Sequence, residues 1–131
     1  MSNWTHVAGI IRIDAIRLDD HIPDFDKLIG KECLFQSPMK VWDDQDKYPE
    51  QYLPMGSEGT LQKSIWVNPN KSNMTAYTVS IFGDLRDHED PHEITRWFKN
   101  VCDKLTVRNA VITVANEVNG SITYTYRKET L

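Results

Sequence analysis

Asp90-Pro91-His92-Glu93-Ile94-Thr95-Arg96-Trp97-Phe98-Lys99-Asn100-Val101-Cys102-Asp103-Lys104-Leu105 is the stretch whose reading decides the fold. Ile94, Trp97, Phe98, Val101, Cys102 and Leu105 recur at helical spacing and form one apolar stripe. Asp90 is placed to cap the first turn, Pro91 occupies the first helical position, and Glu93 three residues after the cap completes a capping-box pattern. His92, Glu93, Thr95, Arg96, Lys99, Asn100, Asp103 and Lys104 form the opposite, wet side. A helix with one apolar stripe needs a surface to lie on, and the flanking sequence supplies strands.

Downstream, residues 107–118 and 121–127 alternate apolar and polar side chains around Asn119-Gly120, a pair suited to a two-residue type I′ turn. That turn would set Ala115 opposite Tyr124, Thr113 opposite Tyr126, and Ile112 opposite Arg127. Upstream, residues 60–67 and 75–82 read as two more strands, with Tyr77, Val79 and Ile81 sharing a face and turn formers at 68–73 between them. Residues 5–17 begin the chain with a further strand, Val7, Gly9, Ile11, Ile13 and Ala15 on one face. Its other face, His6, Ala8, Ile10, Arg12 and Asp14, is apolar at one end and polar at the other, as a partly covered face would be. Residues 22–30 suit a short helix closed by Gly30, and 36–54 read as a long loop. The expected class is α+β: an antiparallel sheet with two helices in the order β-α-β-β-α-β-β.

At 131 residues the chain accommodates one domain, 1–131. Its 40% apolar and 26% charged composition is that of a folding protein. A net charge of −4 argues against wrapping a nucleic acid polymer, which requires a basic face. The six arginines still allow a local pocket for a small anion. Cys33 and Cys102 lack zinc-site spacing, and Cys102 falls on the apolar helix face. No segment has the apolar length of a membrane span, so a cytoplasmic location and no membrane partner are expected.

Sequence motifs for nucleophilic, metalloprotease, phosphate-loop or dinucleotide chemistry are absent. The chain therefore reads as a binding protein, with no catalytic residues, metal or cofactor expected. Asp84, Asp87, His88 and His92 offer metal-ligating types. The helix macrodipole, which gathers acids at an N-terminus, accounts for that cluster more simply. Gly56-Ser57-Glu58-Gly59 has the composition of an anion-holding backbone nest, and equally that of a plain strand entry. Phe82, Arg86, Arg108 and Arg127 are the candidate ligand-binding residues, because a nucleotide requires a flat apolar surface for its base and guanidinium groups for its phosphates.

At Trp4-Thr5-His6-Val7-Ala8-Gly9-Ile10-Ile11-Arg12, Gly56-Ser57-Glu58-Gly59 and Ile81-Phe82-Gly83-Asp84-Leu85-Arg86-Asp87, the chain resembles the first family of phage Thoeris anti-defence proteins. The resemblance implies a homo-oligomer in the host cytoplasm that sequesters a cyclic ADP-ribose signal, or cyclic oligonucleotide signals, without cleaving it. It implies an aromatic ring against adenine and arginines on the phosphates, roles that fall to Phe82 and Arg86, with Arg108 and Arg127 as second candidates. Two other functions compete: a module that blocks a host effector by surface contact, and, less favoured, a metal-dependent hydrolase at Asp84, Asp87, His88 and His92.

Overall fold

The central strand, β1 (Trp4–Asp14), begins the chain, and its alternation is the one the sequence dictates. Thr5, Val7, Ile11 and Ile13 are buried, while His6, Ala8, Ile10 and Arg12 are exposed on the other face. The computed structural model describes residues 3–14, 24–32, 52–69, 75–88 and 90–127. Most of the expected loop at 36–54, the turn residues 70–73 and Cys33 lie outside them.

After β1 come the short helix α1 (Phe25–Leu28), then β2 (Gln62–Val67), β3 (Thr75–Arg86), helix α2 (Pro91–Asp103), β4 (Val107–Asn116) and β5 (Gly120–Tyr126). Among the described residues this is the element order expected from the sequence. The five strands form one sheet in the order β2-β3-β1-β4-β5, with every pair antiparallel.

Both described helices lie on the same face. Helix α2 covers β4 and β5, burying Ile94, Phe98, Val101 and Cys102, and Phe98 meets Tyr124 edge-on at 6.4 Å. Phe25 of α1 meets Tyr77 of β3 edge-on at 5.5 Å. Leu53, Leu61, Val79, Ile81, Leu85, Ile112 and Val114 fill the remainder of this layer with no exposure. Asp90 caps α2 by accepting from His92 N at 3.0 Å. The capping box is incomplete, because the Glu93 carboxylate lies 3.7 Å from His88 Nε2 and makes no return bond to Asp90. Thr95, expected on the wet side, is buried, and its hydroxyl donates to the His92 carbonyl at 3.0 Å.

The terminal hairpin differs from its expected register. Asn116 pairs with Gly120, leaving three loop residues, so Ile112 faces Tyr124, Ala110 faces Tyr126 and Thr113 faces Thr123. The cause is local. Asn116 Oδ1 accepts from Val118 N at 3.0 Å and Asn119 N at 2.8 Å, and Gly120 closes the turn at φ +84°. Shifting the pairing by an odd number of residues turns both tyrosines toward α2. Tyr126 then reaches Asp103, donating its hydroxyl proton at 2.7 Å.

Candidate functional site

No described element covers the face of the sheet opposite the helices. By cross-strand register its side chains form rows. His6 pairs with Asp84 and Ala115, Ala8 with Phe82 and Thr113, Ile10 with Ser80 and Val111, and Arg12 with Thr78 and Asn109. Successive rows on one face stand about 6.7 Å apart. The two middle rows line a shallow concavity of 310 Å3. Its walls are apolar, with Ile10 and Phe82 each 41% exposed and Val111 38% exposed.

Phe82 was expected to close its strand at the edge of the core. Instead β3 continues to Arg86, which pairs with Trp4, so Phe82 stands in mid-strand with its ring on the open face. The four candidate residues are not gathered in one place. Arg86 shares the face and strand of Phe82, about 13 Å along it, and is engaged by Glu58 at 2.6 Å. Arg108 lies at the other end of the sheet, 3.4 Å from Asp14. The ten residue steps of β1 from Trp4 to Asp14 span about 33 Å. Arg127 follows Tyr126, which pairs with Ala110, and so sits near the Arg108 end on the edge strand.

Arg12 is the residue that sequence reasoning missed. It shares the open face with Phe82 and Ile10, and its guanidinium has no acidic partner among the described residues, as is also true of Arg127. The signal was present in the alternation of β1: Arg12 falls in phase with Ala8 and Ile10. Its proximity to Phe82 depends on the pairing of Ala8 with Phe82, which joins residues far apart in sequence. A guanidinium about two rows from the ring, on a side chain that reaches half that distance, can meet the phosphates of a ligand whose base lies on Phe82.

The opposite end of the face carries an imidazole between two carboxylates, with Arg86 on the adjoining row. His6 Nδ1 lies 2.6 Å from Asp84 Oδ1, and Nε2 lies 3.7 Å from Glu117 Oε2. The Asp84 hydrogen bond, with the charges of both carboxylates, raises the imidazole pKa above its ordinary 6.5. Gly56-Ser57-Glu58-Gly59 forms no open nest there. Gly56 N donates to the Gly59 carbonyl at 3.1 Å and Ser57 N to the Arg86 carbonyl at 2.9 Å, while Glu58 O accepts from Arg86 N at 3.0 Å. The segment is a strap along the end of β3. Gly59 is required in it, at φ +81°, where an added Cβ would fall on the Asp84 carbonyl oxygen.

Of the four metal-ligating candidates Asp84, Asp87, His88 and His92, the first three have separate partners. Asp84 is joined to His6, Asp87 Oδ2 accepts from Ser57 Oγ at 3.1 Å, and His88 lies beside Glu93. Among the described residues, no three His, Cys, Asp or Glu side chains are grouped to hold a metal ion. Nor is any described helix long and apolar enough to cross a membrane. No protein-family model matches the chain, and neither the curated proteins nor the solved structures yield a match.

Proposed function

We propose that this protein binds a cyclic nucleotide immune signal on the open face of its sheet and holds it without cleaving it. In this reading it is a phage anti-defence sponge of the Thoeris type acting in the host cytoplasm. The ligand class comes from the family resemblance. The observation that carries the reading is the exposed ring of Phe82 beside a shallow apolar floor, on the same face as Arg12, whose guanidinium has no acidic partner among the described residues. An aromatic surface accepts any base, and a nearby guanidinium selects for phosphate. Sequestration requires only such complementary surface, with no activated nucleophile.

Titration calorimetry with a cyclic ADP-ribose isomer tests this directly. Wild type is expected to bind and, after heat denaturation, to release the ligand intact. Phe82→Ala and Arg12→Ala should each weaken binding by about ten-fold or more, in line with ~1–3 kcal/mol for one base stacked on an aromatic ring. Phe82 is half-exposed, so its loss should leave stability nearly unchanged. Release of cleaved products, or equal affinity in all three proteins, would overturn the reading.

The same exposed apolar face also favours the alternative of a module that blocks a host protein by surface contact. A stoichiometric host protein retained by wild type and lost with Phe82→Ala, in the absence of any released small molecule, would establish that function instead.

A further inference from the structure

We propose that the ligand crosses the strands as a ribonucleoside, its base against Phe82 and its sugar hydroxyls on the paired hydroxyls of Thr113 and Thr123. This inference rests on the ligand reading above and deepens it. One row of the open face holds the parts. Phe82 pairs with Ala8, Ala8 with Thr113 and Thr113 with Thr123, so these residues stand side by side on β3, β1, β4 and β5. Ala8 is the smallest of them, and it lines the concavity between Phe82 on one side and Thr113 on the other. With strands about 4.8 Å apart, the two walls rise from backbones about 10 Å from each other. That leaves room for one base and its attached sugar.

The chemistry of the second wall selects a hydroxyl. Thr113 and Thr123 are both exposed, and their Oγ1 atoms lie 3.1 Å apart. The bond between them uses one hydrogen and one lone pair, so the pair keeps a single donor and several acceptor sites. A phosphate offers acceptors alone and gains little from a neutral pair with one hydrogen to give. A sugar hydroxyl both donates and accepts, and it can use both kinds of site. A cross-strand threonine pair also steadies a sheet. This one faces an aromatic wall across a gap that alanine keeps open, on a face where no described element packs.

Charge sends the phosphates in a different direction. Arg12 lies about 13 Å along β1 from Ala8, beyond Ile10, and has no acidic partner among the described residues. The other way along the strands, His6 is held between Asp84 and Glu117, and Arg86 is already engaged by Glu58. An anion is therefore turned toward Arg12. Phe82, the threonine pair and Arg12 mark three corners that suit base, sugar and phosphate.

Calorimetry with a cyclic ADP-ribose isomer, and ligand-observed NMR with adenosine monophosphate and the analogue lacking both ribose hydroxyls, test the proposal. Wild type is expected to hold adenosine monophosphate about five-fold more tightly than that analogue, the effect of one net hydrogen bond. Thr113→Val keeps the β-branched shape and removes the hydroxyl; it should bind both monophosphates at the weaker level and lose a similar factor against the cyclic ligand. Thr113→Ser, which keeps a hydroxyl, should retain most of the discrimination. Ala8→Leu, at an exposed position, fills the gap and should weaken every one of these ligands. Phe82→Ala should weaken both monophosphates alike and leave their ratio unchanged. Equal affinity of wild type for the two monophosphates, a Thr113→Val variant that still discriminates, or a Thr113→Ser variant as weak as Thr113→Val would overturn the proposal while leaving binding at Phe82 intact. No binding of the cyclic ligand to wild type would remove the ligand reading and this inference with it.

Discussion

His6 lies between two carboxylates, and its chemistry makes a prediction at the scale of one side chain. The Asp84 hydrogen bond, assisted by the charges of Asp84 and Glu117, favours the imidazolium in the folded chain. A raised folded pKa contributes stability that is complete below the unfolded value of 6.5 and is lost as pH rises through the folded value. The difference in melting temperature between wild type and His6→Gln should therefore be largest below about pH 6 and shrink above neutrality. The effect will be modest, because the side chain is 49% exposed and water screens the pair. A difference independent of pH would contradict it. Cys102 illustrates the opposite effect of environment: burial pushes its thiol up to about 12, so it packs as a small hydrophobe and not as a nucleophile.

At the scale of elements, the terminal hairpin depends on a single amide. Asn116 is 5% exposed; it accepts from two turn N–H groups and donates through Nδ2 to the Thr5 hydroxyl at 2.9 Å. Asn116→Ala should cost about 2 kcal/mol in urea denaturation, because it leaves those groups without their partner. A cost below a few tenths would mean that the turn closes without it. This dependence also explains what the sequence conveyed. The stripe and cap of α2 are local and legible, whereas the hairpin register was set by one side chain folding back on its own turn, which Asn-Gly composition does not reveal. Strand β3 was read as ending at Phe82 because Gly83 and Asp84 resemble a turn. Pairing with β1 as far as Trp4 carries it on to Arg86. Arg12 was seen on its face but not two rows from Phe82, since spacing across strands is decided by partners more than sixty residues away.

For the molecule as a whole, stability rests on the single layer between sheet and helices. Phe98 is fully buried there against Tyr124. Phe98→Ala should remove about 3–5 kcal/mol of unfolding free energy, from lost burial and the cavity left behind. A loss below about 1 kcal/mol would show that α2 is not integral to the core. Among the described residues nothing packs on the opposite face, which therefore contributes little to this core.

The position of β1 between β3 and β4 has a consequence for how the chain is made. Strand β1 leaves the ribosome well before either of the segments that flank it, Thr75–Arg86 and Val107–Asn116. Until those segments emerge, Val7, Ile10, Ile11 and Ile13 have no neighbour to cover them. Closure of such distant pairings is slow and leaves an apolar strand available to other nascent copies. Overexpression at high temperature should thus favour inclusion bodies, even where the finished protein is stable.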